Sequence, residues 1–425
     1  MIRSTKNYFK FLNFIKIKNI NLFLDEYQIA LNSCINYIWN NSFNDKNDIL
    51  CWNIQQDLVN LPSYLDYNQI DFGNTKLSAR CKSSILCQAI GIIKGTVGFR
   101  KSILNKINYR ISKNLPIDKY QKRLDDNKVS KPIIKNCAAE LSSKNSDIKI
   151  SKGYFEYWIR IKCTGFLEIK IPIKLSKMDK KWISKNGVML NGILLGRNYI
   201  QLRYNIPDNK RVKGIVVGCD TGIKTPAIFS NQKEIMSSKD VHGHSLESIN
   251  HKLERKQKTS KGFRKAQEHR TNYINWYINR INLDGVKQVN LEDVSGIFQG
   301  KRISRWMKHW NHGEIARKIN LKCEELGVQV NLQNSGYYSQ RCSKCGLVRK
   351  SNRKSKEYFC KGCKNNLDAD LNSSINHEKN LPDISIEVRR SKRNIQGFYW
   401  LEEGVFFYEG QEDGVPDINL LKKIE

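Results

Sequence analysis

Two CxxC pairs, Cys342/Cys345 and Cys360/Cys363, stand fourteen residues apart late in a 425-residue chain. Each pair forms a tight knuckle that turns two sulfurs to one side, and two knuckles offer the four thiolates of a tetrahedral zinc site. Gly346 and Gly362 lie where such knuckles need a small residue, and Lys344 and Lys361 offset part of the thiolate charge. Spacing of this kind predicts one Zn²⁺ ion rather than two disulfides. The other eight cysteines (Cys34, Cys51, Cys81, Cys87, Cys137, Cys163, Cys219 and Cys323) show no paired spacing. They read as small buried hydrophobes in a reducing compartment, and residues 1–10 lack the apolar core of a secretory leader, so a cytoplasmic location is expected. Shortly after the last knuckle comes Asp368-Ala369-Asp370-Leu371-Asn372. This adjacency predicts a zinc ribbon inserted into a catalytic domain just where the last carboxylate of that domain arrives.

The chain carries 73 Lys and Arg against 41 Asp and Glu, a formal charge of +32. Such an excess selects a polyanionic partner, and aromatic residues, 10% of the chain, supply faces on which bases stack. An AT-rich coding bias explains Lys over Arg, but not so large a surplus of base over acid. No run of eighteen apolar residues occurs, so no membrane span is expected.

Hydrophobic patterning divides the chain into zones. Residues 1–24 alternate apolar and basic (Phe9, Phe11, Phe14, Ile15, Ile17) and predict a strand or two. Residues 25–130 predict helices, with Tyr27, Ala30, Leu31, Ile35 and Ile38 on one stripe and Leu77, Ile85, Leu86, Ile90, Ile93 and Val97 on another. From residue 131 to 207 short alternating runs take over, among them Ile148–Ile150, Tyr154–Ile161, Phe166–Ile171 and Tyr199–Tyr204. They predict a small antiparallel β-barrel with the helices inserted into it. Pro207–Arg211 reads as a linker.

Beyond the linker, Gly214-Ile-Val-Val-Gly-Cys-Asp220-Thr-Gly222 drives an apolar strand into a carboxylate. Burying an acid there is costly unless it is paired or metal-bound. Val289-Asn-Leu-Glu292-Asp293 repeats the pattern, and Asp370 opens a helical run after the cysteines. Three carboxylates at the ends of core elements match what a two-metal phosphodiesterase needs: two Mg²⁺ ions to activate water and stabilise the leaving 3′ oxygen. Between the first two acids lies a basic run, Lys252, Arg255, Lys256, Lys258, Lys261, Arg264 and Lys265, continuing as a helix to Ile281. Charge runs are usually solvated faces, but one placed between two pieces of a nuclease core predicts backbone contacts to nucleic acid. Arg349, Lys350, Arg353, Lys354 and Lys356 form a second cluster, read equally as a strand guide or as solubilising charge. Residues 386–425 end in an acidic stretch from Leu401, expected to pack as a tail on its own domain.

Gly-x-Asp-x-Gly-Ile-Lys around Asp220, Leu-Glu-Asp-Val-Ser around Glu292, Tyr338–Gly346, and Asp368–Asn376 after the cysteines resemble, in that order, the TnpB family of transposon-encoded nucleases. The miniature type V CRISPR effectors share the pattern. The resemblance covers about residues 214–380; before that it extends only to organisation. It implies a multi-domain α/β protein: an N-terminal β-barrel wedge (1–24 and 131–207) with an inserted helical recognition lobe (25–130), then an RNase H-like, RuvC-type nuclease domain (208–335 and 367–385). The four-cysteine zinc ribbon (336–366) interrupts that domain, and the acidic tail is 386–425. Asp220, Glu292 and Asp370 would be the magnesium-binding catalytic triad. The Asp-x-Asn context selects Asp370 over Asp368, with Asp293 left as a cap or supporting group. Cys219, where an aliphatic residue is commoner, and Asn372-Ser-Ser depart from the family pattern without removing a carboxylate. The implied activity is RNA-guided cleavage of double-stranded target DNA by a monomer or homodimer holding a guide RNA. Two rivals are an RNA-guided repressor that binds without cutting and a zinc-ribbon DNA-binding accessory factor of a transposon.

Overall fold

The structure, a computed structural model, describes residues 1–42, 69–112, 114–126, 131–162, 169–232, 237–294, 306–334, 336–384, 397–407 and 422–423. The chain divides into two compact units, Met1–Pro207 and Asp208–Glu425.

The first unit runs β1 (Ile2–Tyr8), α1 (Phe14–Ser42), α2 (Ala79–Ile111), α3 (Asp118–Asp126), β2 (Ala139–Leu141), β3 (Ser146–Ile150) and β4 (Tyr157–Ile161). It continues through β5 (Ile169–Ile173), α4 (Lys177–Ser184), β6 (Val188–Leu195) and β7 (Tyr199–Asn205). Helix begins earlier than the alternation in residues 1–24 predicts. Asn13 Oδ1 accepts from the Lys16 N–H at 2.9 Å, which caps α1. Ile20, Phe23, Leu24, Tyr27 and Leu31 then form a buried stripe, while Phe14 and Ile15 stay exposed. The stripes expected on the two long helices are buried as helix core, from Ile85 through Ile93 in the second case, while Leu77 is buried just ahead of α2.

Strands pair as two antiparallel sheets, β1-β7-β6-β2 and β3-β4-β5. The expected barrel is not found: among the described residues neither sheet closes. The physical reason is the helices. α1 and α2 pack with both sheets in one apolar core, so the strands bury their faces without curling onto each other. Phe166 and its neighbours, read as part of a strand, lie outside the described residues.

The second unit opens with β8 (Ile215–Asp220), β9 (Ile228–Phe229), α5 (Leu246–Glu254), α6 (Lys261–Arg280), β10 (Val286–Asp293), α7 (His312–Leu326) and β11 (Gln329–Asn334). Its sheet has the order β11-β10-β8-β9, with β8, β10 and β11 parallel and β9 antiparallel. The basic run is not one continuous helix. Thr259 turns left-handed at φ 73°, and Ser260 Oγ accepts from the Phe263 N–H at 3.1 Å to start α6 afresh.

The cysteine segment builds β12 (Leu347–Val348), β13 (Arg353–Lys354), β14 (Glu357–Phe359) and β15 (Asn366–Asp368), and α8 (Ala369–Glu378) follows at once. The region expected to be a tail contributes β16 (Phe398–Leu401), β17 (Gly404–Phe407) and β18 (Lys422–Lys423). β16 pairs with the ribbon strand β12, Tyr399 opposite Leu347, so this hairpin is part of the ribbon's own packing. Glu402 and Glu403 are exposed at its turn; Glu409, Glu412, Asp413, Asp417 and Glu425 lie outside the described residues. Among the described residues no helix is long and apolar enough to cross a membrane.

Candidate metal centre

Strand register brings the first two acids together. Leu291 of β10 lies opposite Cys219 of β8 in parallel, so Asp220 and Glu292 emerge level at the carboxyl ends of adjacent strands. That edge is where open α/β sheets gather functional groups. Helix α8 then lies close over β8. A Cβ on Gly218 would stand 1.9 Å from the Ser374 carbonyl oxygen, so only glycine admits the helix at this distance. Ser373 Oγ donates to Asp220 Oδ1 at 3.2 Å, and Asn290 Nδ2 donates to the His377 carbonyl at 2.7 Å.

Asp220, Glu292 and His377 offer ligand atoms that all lie within 4.8 Å of one another. Asp370 is outside that group. Its carboxylate is bridged by Arg353, Nη2 to Oδ1 at 2.9 Å, and by Lys356. Two of the five cations read equally as a strand guide or as solubilising charge are therefore engaged with an acid. Asp370 is still near enough for its charge to act on both Asp220 and Glu292. Asp368 caps α8 instead, its Oδ1 accepting from the Asp370 and Leu371 N–H groups at 2.9 and 3.0 Å. Asp293 is exposed at the end of β10.

Burial is the main force on the paired acids. It pushes Asp220 well above the usual carboxylate range, and the charges of Glu292 and Asp370 push the same way. Burial also raises Glu292 to about 7, against hydrogen bonds from Asp220 and the Thr221 N–H. Two acids so placed cannot both ionise cheaply without a cation. Their oxygens suit a hard divalent ion, so the residues fit the magnesium that the motifs implied.

His377 had no signal of its own in the sequence. It is wholly buried and stacks on Tyr338 with ring centroids 4.1 Å apart. Its Nδ1 lies 2.9 Å from Gln333 Oε1, while Nε2 has no hydrogen-bond partner. Burial lowers its pKa to about 3, so the ring is neutral. An unsatisfied buried nitrogen costs about 1–3 kcal/mol. The readable clue was spacing: Asp370, Ser373, Ser374 and His377 fall at i, i+3, i+4 and i+7 on one helix face.

The four cysteines form a second cluster, also within 4.8 Å. Cys342 and Cys363 sulfurs are 3.5 Å apart, and those of Cys345 and Cys360 are 3.6 Å apart. A zinc tetrahedron with bonds of about 2.3 Å needs edges of about 3.8 Å, whereas a disulfide needs about 2.05 Å. The cluster could thus hold one zinc ion. Cys34, Cys81, Cys137, Cys219 and Cys323 are free thiols and buried, Cys87 is exposed, and Cys51 and Cys163 lie outside the described residues.

Beside the first knuckle sits a cation that the sequence did not single out. Arg341 is 1% exposed; its Nε donates to the Trp400 carbonyl at 2.7 Å and its Nη1 to Asn376 Oδ1 at 2.6 Å. Asn372 Nδ2 and Asn376 Nδ2 both donate to the Arg341 carbonyl at 2.7 Å, and Asn372 Oδ1 accepts from the Ser343 N–H at 3.0 Å. The asparagines two and six residues past Asp370 therefore tie the ribbon to the helix that carries it. Lys252, Arg255, Lys256, Lys258, Lys261, Arg264 and Lys265 are all exposed, spread over the end of α5, the turn and the start of α6.

The fold and site define a multi-domain α/β protein with paired acids at a sheet edge and a four-cysteine ribbon beside them. Residues 312–377 match the family model described as Cas12f1-like, TNB domain. CRISPR-associated endodeoxyribonuclease Cas12f1 of Syntrophomonas palmitatica is 34% identical over 140 residues, covering 32% of this chain and 27% of that protein. The protein of the same name from Sulfoacidibacillus thermotolerans is 29% identical over 135 residues, 32% of this chain and 31% of that one. The matched stretch thus spans under a third of either relative. The solved structure of CasPhi-2 (Cas12j) bound to crRNA aligns over 90% of this chain and 99% of that chain, with a TM-score of 0.50 at 10% identity, which shows a shared fold alone. Together these matches make about a third of the chain similar in sequence to Cas12f1 proteins.

Proposed function

We propose that this chain is an RNA-guided DNA endonuclease whose single RuvC-type centre is built from Asp220, Glu292 and Asp370. The observation that carries the reading is the convergence of Asp220 and Glu292 on adjacent parallel strands, with Asp370 close enough to perturb both. Two relatives named as endodeoxyribonucleases support it. Bound at these acids, two Mg²⁺ ions would activate the attacking water and stabilise the leaving 3′ oxygen. The chain's own part is to hold the acids, with Ser373 steadying Asp220 and the Thr221 N–H steadying Glu292. Asp370, bridged by Arg353 and Lys356, would supply the third metal-holding carboxylate.

In this reading residues 208–335 and 367–385 are the nuclease, 336–366 the zinc ribbon, and the helices and strands of 1–207 the recognition lobe and wedge. The exposed cations from Lys252 to Lys265 bind the phosphate backbone without reading sequence. Base pairing with a guide RNA selects the double-stranded target. An exposed aromatic group in the first unit suits base stacking: Tyr154 lies 6.0 Å from Phe11 and 5.1 Å from Phe155, with Lys174 over its ring at 3.9 Å.

The test is to purify the chain from cells carrying its genomic surroundings, sequence the co-purifying RNA, and assay Mg²⁺-dependent cleavage beside Asp220→Ala. A discrete RNA with cleavage lost in the variant supports the proposal. A discrete RNA with binding and no cleavage leads to the repressor reading, and no RNA leads to the accessory-factor reading.

A further inference from the structure

Building on the reading of Asp220 and Glu292 as a metal centre, we propose that His377 is its nitrogen ligand. The site is then a mixed imidazole–carboxylate one that favours Mn²⁺ over Mg²⁺ more than an all-oxygen site does.

The hydrogen bonds around the ring determine which nitrogen is available. Gln333 Nε2 donates to the Lys379 carbonyl at 3.2 Å, which turns Gln333 Oε1 toward His377. An amide oxygen only accepts, so Nδ1 carries the imidazole proton and Nε2 keeps its lone pair. Histidines that bind metals are commonly oriented this way, with one nitrogen donating to a fixed acceptor and the other coordinating. Gln333 lies opposite Glu292 in the β10–β11 register, so the residue that orients the ring is coupled to the strand that carries the acid. Tyr338, stacked at an interplanar angle of 12°, holds the ring plane.

Most buried polar atoms find a partner, and this orphan acceptor nitrogen belongs to the same cluster as two carboxylates. The ring shares its cluster, one ligand atom from each residue within 4.8 Å of the others, with two acids, which when ionised also only accept. A cation among the three satisfies the lone pair and both carboxylates at once. Imidazole nitrogen is a poor donor for Mg²⁺ and a better one for first-row transition ions, which sets the direction of the preference.

The experiment uses the full chain with its ribbon zinc retained, loaded with Mn²⁺ and examined by electron spin-echo envelope modulation. Modulation from a directly bound ¹⁴N is expected in the wild type. It should vanish in His377→Gln, together with a loss of about 10-fold or more in Mn²⁺ affinity and a smaller loss for Mg²⁺. Exposed His242 and His244 can take up stray Mn²⁺, so the signal must also vanish in Asp220→Ala. Because His377 is buried, the wild-type spectrum decides even if the variant misfolds. Mn²⁺ whose binding depends on Asp220 but shows no ¹⁴N modulation overturns the ligand role and leaves the carboxylate centre standing. Absence of any Asp220-dependent Mn²⁺ overturns the metal centre itself, and the role of His377 with it.

Discussion

The carboxylate centre and the cysteine ribbon are both groups of acids that need a cation, yet they are held together in opposite ways. Asp220 and Glu292 stand where a parallel register puts them, on strands of six and eight residues within a large apolar core. The sheet itself sets their positions, and burial raises their pKa values. The ribbon strands are two or three residues long, and the sulfurs themselves lie within its small core. There a bound cation would supply much of the geometry. The same chemistry is therefore a load on one region and a scaffold for the other.

The largest effect expected from this contrast is on the ribbon. Structural zinc in small domains is worth about 10–16 kcal/mol of folding free energy, so Cys342→Ser should unfold the ribbon, residues 336–366. Limited proteolysis should cut there first and spare β8, β10 and β11. Simultaneous loss of both regions would break the comparison. Next, Asp220→Asn should lower cleavage by about 10³-fold or more while raising the metal-free melting temperature by a few degrees, as relief of about 1 kcal/mol of repulsion does. A variant that loses both activity and stability would show that the pair is structural.

A pH series sharpens the same point. Glu292 titrates near 7 in the fold against about 4.3 when unfolded. A carboxyl raised in this way stabilises the metal-free fold below the unfolded value, and that contribution is lost as pH rises through 7. Melting temperatures without added Mg²⁺ should fall between pH 5 and pH 8 more steeply in wild type than in Glu292→Gln, and Mg²⁺ should remove the difference. Asn372→Ala should cost about 1–2 kcal/mol, since it strips the Ser343 N–H of its acceptor and leaves the Arg341 carbonyl with Asn376 alone; calorimetry reads it directly. Smallest is the double change Lys252→Ala and Lys261→Ala, which should reduce the salt dependence of nucleic-acid binding by about 1–2 in slope, measured by fluorescence anisotropy.

What could be read beforehand follows the same division. Asp220 and Glu292 were legible because an apolar run ending in an acid is a local pattern, and the cysteines because their spacing is. Asp368 and Asp370 were separable only by family context, since both open the same helix; a capping hydrogen bond distinguishes their surroundings in the fold. Phe14 and Ile15 misled because alternation over a few residues fits a strand as well as a helix start. The barrel failed for a non-local reason, the helices that cover the sheets. His377 shared a helix face with Asp370, but its role and that of Arg341 depend on partners 44 and 59 residues away, Gln333 and Trp400.

The central claim is that three distant acids share one metal centre, and Fe²⁺-directed hydroxyl-radical cleavage of the protein backbone tests it most directly. With Fe²⁺ in place of Mg²⁺, cuts should cluster near residues 220, 292 and 370 together, fade with excess Mg²⁺, and disappear in Asp220→Ala. Cuts at only one of these positions, or at all three but unaffected by Asp220→Ala, would contradict a shared centre.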